Sequence, residues 1–472
     1  MNALLTMSSF IFPLITFPYV SRILGPTGTG KINFVTSFIS YFSMFAQLGI
    51  PTYGIRACAR VRDNKQELTK VAQELLIINL VTTLLSYIGL GICMLLVPRM
   101  QSDRELYIVI SFSIILTTIG MEWIYKALEQ YTYITIRSIV FKFIAVIAML
   151  LLIHKEEDYV IYGAISIFAA SASNIFNFIN VHKYISLKPV GNFDFKRHVK
   201  PVLVFFAMTI ASTIYTNLDN VMLGFMASDA DVGYYGVAVK IKGILVSLVT
   251  SLSAVLLPRV SYYIENKQMD EFKRVCEKAL DFLFVVAIPI SVYFILFAKE
   301  GIYFLSGELY DNSIIPMRIV MPTVLLIGLS NITGIQILVP LGLEKKVLYS
   351  EIVGAIVDCT INVLLISQLK SIGTAIATLF AEFAVLLYQY IELKKNAFKV
   401  ERKIGYLSIL IGVAIGSIVS LPIKLLGLNS FITLLLSATV FFAIYLIVIT
   451  IMKEPIVTEI ETQLINKIKK EG

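Results

Sequence analysis

Charged side chains lie inside long apolar stretches of this sequence, where they are costly to place. Arg22, Lys142 and Lys240 each fall within a run of roughly 20 mainly apolar residues, and Arg56 lies at the end of another. A charge in such a position costs at least ~2.5 kcal/mol on membrane-insertion scales, so it normally faces a water-filled cavity or a partner. Arginine offers forked contacts to phosphate and lysine offers a point charge. Arg22, Lys142 and Lys240 therefore predict a cationic chamber for a pyrophosphate.

A simpler interpretation of some of these cations stays open. Arg22 follows Pro18, and its long side chain could extend to the membrane surface or pair locally. The same holds for Lys242. Because Lys240 and Lys242 are two residues apart, roughly 200° around a helix, at most one of them can point toward a cavity.

Oxygen-bearing side chains form a second set in the apolar stretches. Asp219 lies in the middle of one stretch. Asp358 and Asn362 are spaced i and i+4, so they share one face of a helix, and Thr374 and Thr378 repeat that spacing in the next stretch. Such hard oxygen ligands suit Na⁺, and a lone carboxylate could instead carry a proton. These residues predict a cation-coupling site, with Na⁺ held by Asp219, Asp358, Asn362 and Thr378.

Two alternatives weaken this prediction. The acids Asp219 and Asp358 could serve only as ion-pair partners of Lys240 or Lys142. Threonines in membrane helices often act only in helix packing.

The stretches that carry these residues run along the whole chain. With 57% apolar and 15% charged residues and a mean hydropathy of +0.81, no soluble globular class fits. The sequence predicts an all-α integral membrane protein with about fourteen transmembrane helices. The predicted spans are roughly 2–23, 32–55, 71–97, 105–127, 131–153, 159–182, 201–227, 233–257, 277–298, 312–338, 347–368, 371–393, 404–423 and 429–452.

Lys and Arg are concentrated in every second gap between these spans. The positive-inside rule then places both termini in the cytoplasm. The net charge of +8 is explained by this topology, so we expect no nucleic-acid partner.

A weak internal repeat is visible in the sequence. Leu24-Gly25 followed by Gly30 recurs as Leu223-Gly224 followed by Gly233, six spans later and hence in the same orientation. This predicts two six-helix bundles related by a parallel pseudo-two-fold repeat, with two further helices at the C-terminus. The predicted domains are 1–183 for the first bundle, 184–200 for a cytoplasmic linker, 201–395 for the second bundle, and 396–472 for the extra helices and tail.

Other chemistry is not indicated. Residues 25–31 match the spacing of a phosphate-binding loop, but Ile32 stands where Ser or Thr would hold Mg²⁺, so we expect no nucleotide. The four cysteines and three histidines have no ligand-like spacing, and we predict no cofactor beyond a coupling ion, Na⁺ or H⁺. The apolar segment after Met1 has no cleavage signal and is read as a first span.

The segment PLITFPYVSRILGPTGTG at residues 13–30 resembles the opening signature of the polysaccharide biosynthesis, or lipid-linked oligosaccharide flippase, family. That family belongs to the multidrug/oligosaccharidyl-lipid/polysaccharide exporter superfamily. The fourteen predicted spans, the repeat and the short loops also resemble this family, over essentially the whole chain. Members usually have a basic segment before the first span, so its lack here suggests a late start or a truncation.

The resemblance implies a non-enzymatic flippase in a prokaryotic inner (plasma) membrane, moving polyprenyl-pyrophosphate oligosaccharides outward for capsule- or O-antigen-type polymers. The sugar and pyrophosphate would enter a cavity between the bundles, and a glycan polymerase of the same pathway is an expected partner. In related lipid II flippases, basic residues on spans one, two and eight bind the substrate; Arg22, Arg56 and Lys240 are the nearest positions here. Lipid II flippases also have a sodium site on helices seven, eleven and twelve, and the positions of Asp219, Asp358, Asn362 and Thr378 resemble it. The order of acid and amide in helix eleven is reversed in this sequence.

Two other functions compete with this one. A drug/cation antiporter of the same superfamily usually has twelve spans and an acidic, aromatic pocket, whereas the extra helices and buried cations here favour an anionic cargo. A membrane glycan polymerase would need a large outer loop, and no predicted outer gap is long enough.

Overall fold

The computed structural model describes residues 2–395 and 405–458, so residues 396–404 and 459–472 of the predicted C-terminal segment lie outside it. Every regular element within these ranges is helical, which confirms the all-α prediction. The α-helices are α1 (Asn2–Gln47), α2 (Ile50–Ala59), α3 (Lys65–Leu96), α4 (Pro98–Ser102), α5 (Arg104–Gly120), α6 (Glu122–Ala127), α7 (Tyr131–Leu152), α8 (Tyr159–Ile167), α9 (Asn174–Asn180), α10 (Lys196–Met226), α11 (Asp229–Glu265), α12 (Met269–Leu296), α13 (Ala298–Ser306), α14 (Ile314–Val320), α15 (Thr323–Asn331), α16 (Glu344–Leu369), α17 (Ser371–Lys395), α18 (Tyr406–Ser420) and α19 (Ser430–Ile451).

The apolar helical segments of the described residues do not map one to one onto the fourteen predicted spans. Eleven helical segments there are long and apolar enough to cross a membrane, and the bent pair Glu308–Val320 with Thr323–Leu338 makes a twelfth. Predicted span 105–127 is divided, because Met121 adopts a left-handed φ of 43° that ends the 17-residue α5. Predicted span 2–23 and most of predicted span 32–55 lie in the long α1, and the second span continues into α2. The total of fourteen spans and the repeat stay predictions.

Helix α1 is bent at Gly25. This residue has φ 63° and ψ −177° inside an otherwise helical segment, a conformation that residues with a Cβ rarely adopt. The peptide groups around it leave the regular helix ladder and the chain changes direction there. Gly25 is thus the point at which the two predicted spans within α1 are separated.

Packing divides the chain into two compact units, which we call the N-unit (Met1–Gly233) and the C-unit (Tyr234–Gly472). The division falls inside α11, and not at the predicted linker 184–200. This division reflects packing alone, so the boundaries of the two predicted bundles stay a prediction.

The N-unit is built as a membrane bundle with polar groups inside and apolar groups outside. On α3, Asn79 Nδ2 donates to Ala46 O at 2.6 Å and the Thr83 and Thr118 hydroxyls are 2.8 Å apart. The leucines on the other face are exposed, with Leu95 at 70% and Leu96 at 74%. Hydrogen bonds between helices and an apolar outer surface are what a lipid environment favours.

The C-terminal hairpin packs within the C-unit. Tyr293 on α12 donates its hydroxyl hydrogen toward Leu434 O at 2.9 Å and lies 2.9 Å from the Ser437 hydroxyl of α19. Tyr445 of α19 donates to Val285 O of α12 at 2.7 Å. The last helix, α19, is thus fastened to α12 by hydrogen bonds.

Candidate functional site

Two of the predicted cations of the N-unit are exposed. Arg22 lies on α1, and its Nη1 donates to the carbonyl oxygen of Pro18 at 2.6 Å. This is the local contact that one interpretation of the sequence anticipated. Arg56 is exposed in the last turn of α2. The role of both arginines in binding stays a prediction.

The two predicted lysines are half-buried. Lys142 of α7 lies in the N-unit, with Nζ 6.0 Å from the centre of the Phe12 ring. Lys240 of α11 lies in the C-unit. A cation near an aromatic face gains a modest attraction, so Lys142 has a stabilising contact even before any ligand arrives.

The predicted coupling residues of the C-unit share a buried environment. Asp358 and Asn362 of α16 are 2% and 0% exposed, and Thr374 and Thr378 of α17 are 0% and 6% exposed. The two helices form a closely packed hairpin, since a Cβ on Gly373 would lie 2.8 Å from Leu365 O. The structure therefore buries side chains that carry carboxylate, amide and hydroxyl oxygens on both helices of this hairpin.

The hydroxyl groups on α17 have a defined hydrogen-bond direction. Thr378 Oγ1 donates to Thr374 O at 3.0 Å and lies 2.7 Å from Tyr235 Oη. Because a hydroxyl carries one hydrogen, Tyr235 must be the donor to Thr378. Thr374 Oγ1 is buried and has no hydrogen-bond partner within the residues that the structure describes. A buried hydroxyl oxygen of this kind fits a cation ligand.

Glu382 belongs to the same face of α17 and was not among the predicted coupling residues. It follows Thr378 by four residues, so it shares that face, and it is 7% exposed. Its height in the hairpin can be counted from the Leu365–Gly373 contact. Asp358 lies seven residues before Leu365, and Glu382 lies nine residues after Gly373. The two antiparallel helices therefore place these acids about two residues apart along the hairpin axis. At a rise of 1.5 Å per residue, this is a difference in height of about 3 Å.

Asp219, the remaining predicted coupling residue, lies on α10 in the N-unit. It is half-buried, and the next residue, Asn220, donates from Nδ2 to Ser37 Oγ of α1 at 3.0 Å. Helix α10 is therefore tied to α1 beside this acid. Whether Asp219 acts in coupling stays a prediction.

Arg137 is a buried cation that the sequence analysis missed. It lies on α7 with its side chain 8% exposed; Nη2 is 3.5 Å from Asn174 Oδ1 and 3.7 Å from Glu122 Oε2. Both distances exceed those of a strong charge-assisted hydrogen bond, about 2.7–2.9 Å. Nε and Nη1 are buried and have no acceptor among the residues described. Its position within an apolar stretch was the available signal, the same one that identified Lys142.

The linker before α10 is held by another missed residue, Glu74 of α3, whose side chain is fully buried. It accepts from the backbone N–H of Asp194 at 2.6 Å, from Arg197 Nη2 at 2.6 Å and from His198 Nε2 at 2.7 Å. His198 Nδ1 lies 2.9 Å from Tyr53 Oη of α2. Glu74 therefore joins α2, α3 and the start of α10 within the N-unit.

A third long-range pair joins Arg99 of α4 to Asp229, the first residue of α11. The Arg99 guanidinium lies 4.6 Å from the centre of the Phe34 ring, and Phe34 meets Phe225 edge-to-face at 5.2 Å. We call Phe34, Arg99, Phe225 and Asp229 the Arg99–Asp229 cluster. It lies wholly within the N-unit.

Comparison with known proteins places this architecture in a family. A family model described as polysaccharide biosynthesis protein matches residues 1–264, and the MatE model matches residues 205–364. A protein of Escherichia coli (strain K12) that carries the provisional name of an O-antigen transporter is 25% identical over 395 residues, or 82% of this chain and 94% of that protein. A protein of Shigella dysenteriae with the same name is 24% identical over 81% of this chain and 95% of its own length.

Solved structures share the fold. A lipid II flippase, MurJ, in an inward closed conformation has a TM-score of 0.73 at 17% identity, covering 95% of this chain and 98% of its own. An inward-facing multidrug resistance MATE family transporter of the MOP superfamily has a TM-score of 0.63 at 16% identity, covering 81% and 94%. At such identities the likeness concerns the fold alone. The family model spans more than half of the chain, so this multi-pass membrane protein belongs to the polysaccharide biosynthesis protein family, as residues 13–30 predicted.

Proposed function

We propose that the protein is a flippase that moves polyprenyl-pyrophosphate-linked oligosaccharides from the cytoplasmic to the outer leaflet for surface polysaccharide export. The membrane is the prokaryotic inner (plasma) membrane, with both termini in the cytoplasm. Membership of the polysaccharide biosynthesis protein family and relatives named as O-antigen transporters support this assignment. The protein makes and breaks no covalent bond, and a glycan polymerase then consumes the translocated unit.

The observation that carries the coupling part of the proposal is the buried polar face of the α16–α17 hairpin. Asp358 and Asn362 face into a helix bundle together with Thr374 and Thr378. Buried ionisable groups in membrane helices are expensive and mark ion or proton pathways. Carboxylate, amide and hydroxyl oxygens suit Na⁺, and Asp358 with the nearby Glu382 suits a proton equally well.

A cation gradient supplies enough free energy for such a cycle. One charge that moves through 100 mV releases about 2.3 kcal/mol. Binding and release of Na⁺ or H⁺ at this hairpin would alter its packing and so reset the alternating-access cycle. Asp219 of the N-unit is the second acid that we assign to coupling.

The cations provide the other half of the cycle. Arg22, Arg56, Lys142 and Lys240 are the residues that we assign to the pyrophosphate and sugar headgroup, while the lipid tail stays in the bilayer. Arg22 now donates to Pro18 O, and a phosphate oxygen is the stronger acceptor for a guanidinium.

A drug/cation antiporter is the competing function, favoured by the MatE match over residues 205–364 and by the MATE-like fold. The two functions differ in cargo. An antiporter would restore drug efflux to a sensitive strain, whereas a flippase would restore surface polymer to a strain that lacks its own flippase.

The test combines that complementation with matched variants. Arg22→Ala and Lys240→Ala are each expected to abolish surface polymer at normal protein level, while Lys242→Ala, two residues along the same helix, retains it. Unchanged polymer in both of the first two variants would refute the pyrophosphate assignment.

Coupling is tested in proteoliposomes with an imposed Na⁺ or H⁺ gradient. Asp358→Asn and Asp219→Asn are expected to lower gradient-driven flipping, and Thr360→Val, on the exposed side of α16, serves as control. Full activity of both aspartate variants would assign these acids to structure and not to coupling.

A further inference from the structure

One face of α1 packs in successive layers on the α10–α11 region of the N-unit. Gly30, Phe34 and Ser37 are spaced i, i+4 and i+7, so they share this face. Ser37 accepts from Asn220, and Phe34 packs edge-to-face on Phe225. The layers therefore run in order along both helices, from Ser37 to Gly30.

The layer at Gly30 is a contact between two backbones. A Cβ on Gly30 would lie 1.7 Å from Asp229 O, and a Cβ on Gly233 would lie 2.0 Å from Pro26 O. No side chain larger than hydrogen fits at either position. Because glycines bury little apolar side-chain area, this layer is stabilised little by the hydrophobic effect.

The Arg99–Asp229 ion pair closes the stack at the Gly30 end. Asp229 is the first residue of α11, where a carboxylate also interacts favourably with the helix dipole. Arg99 is held over Phe34, so one guanidinium contacts both the aromatic layer and α11. Its Nε is buried and has no acceptor among the described residues. Within the same residues, Asp229 is the ion-pair partner of its Nη2.

We propose that Arg99 and Asp229 form the ion pair that closes the outer gate of the transport pathway, above the Phe34–Phe225 layer, and that this pair breaks in each cycle. The proposal rests on the proposed transport function and on the predicted topology, in which residues 24–31 and Arg99 lie at the outer end. The gate opens when the α10–α11 turn moves away from α1.

A neighbouring ion pair provides the matched control. Lys31 Nζ lies 2.7 Å from Asp103 Oδ1, and Tyr159 donates to the same oxygen at 2.9 Å. Asp103 immediately precedes α5, so this pair joins α1, the start of α5 and α8, whereas Asp229 of α11 pairs with Arg99. Loss of Lys31–Asp103 is therefore expected to leave the gate closed.

The experiment uses Ser37 as a reporter. Ser37 is 4% exposed beneath the Phe34 layer, so a Ser37→Cys variant in a background without the four native cysteines should react slowly with a membrane-impermeant thiol reagent added from outside. Arg99→Ala and Asp229→Ala are each expected to raise the labelling rate about tenfold or more, because a charged hydrogen bond is lost. Lys31→Ala should leave the rate unchanged. The exchange Arg99→Asp with Asp229→Arg should restore protection at least in part.

Several results would overturn the proposal. One is a labelling rate at position 37 in Arg99→Ala that equals the rate in the parent. Another is a rate in Lys31→Ala that rises as much as the rate in Arg99→Ala. Should Arg99→Ala not accumulate, Arg99→Gln is used under the same criteria.

The design separates this proposal from the proposed function. If the labelling rate at position 37 rises only in inverted vesicles, the ion-pair gate is retained, but it lies at the cytoplasmic side and the predicted topology is wrong. If the parent chain does not restore polymer yet Arg99→Ala exposes position 37, the flippase assignment fails and the ion-pair gate remains.

Discussion

Replacement of Glu74 by alanine should release the linker from the N-unit. Glu74 is fully buried and accepts from the Asp194 N–H, the Arg197 guanidinium and the His198 ring at 2.6–2.7 Å. Removal of one partner from a buried charged pair costs about 3–5 kcal/mol. At 1.4 kcal/mol for each factor of ten, the open population of the linker should rise roughly 100- to 3,000-fold.

Limited proteolysis measures this opening directly. Trypsin cleaves after Lys188, which lies in the linker and whose carbonyl oxygen accepts from Gln73 Nε2 at 2.8 Å in the closed state. When opening and closing are fast compared with cleavage, the cleavage rate follows the open population. Glu74→Ala should therefore be cut after Lys188 far faster than the parent protein, in detergent and at equal concentration.

The control is chosen from the same network. Asp194 takes part only through its backbone N–H, so Asp194→Ala should be cut at the parent rate. Glu74→Gln keeps an acceptor oxygen without the charge and should be intermediate. If Glu74→Ala were cut no faster than Asp194→Ala, the reasoning that this buried carboxylate holds the linker would be refuted.

Three further predictions concern single positions, each measured as thermal stability in detergent. Gly25→Ala should lower the free energy of unfolding by about 1–3 kcal/mol through backbone strain alone, since the added Cβ would be 3.8 Å from its nearest neighbour; an unchanged melting temperature would argue against the bend. Arg137→Met should leave stability unchanged or raise it, because Nε and Nη1 of Arg137 are buried without an acceptor among the described residues and each unsatisfied buried donor costs about 1–3 kcal/mol; a marked loss would mean that Arg137 is well paired with Glu122. Tyr293→Phe should cost about 1 kcal/mol, because it removes the hydroxyl of α12 that donates to Leu434 O of α19 at 2.9 Å, while the Ser437 bond to the same oxygen, at 3.3 Å, lies within α19 and remains; an unchanged melting temperature would contradict the hydrogen-bond assignment.

Much of the architecture follows from local properties of the sequence. Membrane insertion depends on the hydropathy of segments about 20 residues long, so the all-α membrane class could be predicted without any knowledge of packing. The shared faces of Asp358 with Asn362 and of Thr374 with Thr378 are also local, since i and i+4 neighbours meet on any helix. The family, too, could be recognised from one segment, residues 13–30.

The helix breaks needed the structure. A left-handed residue such as Met121 has no reliable signal in the sequence, and it divides one predicted span into α5 and α6. The bend at Gly25 leaves two predicted spans within α1. Such breaks depend on what surrounds the backbone, because a strained conformation persists only where the neighbouring structure holds it.

The ion pairs were decided by tertiary structure alone. Asp229 is 130 residues from Arg99 in sequence, and Arg197 is 123 residues from Glu74. Hydropathy and spacing can place each of these charges in a segment, but they do not specify which helix faces meet. That choice is made by packing, where the glycines of α1 and α11 allow two backbones to touch and so bring Asp229 to Arg99.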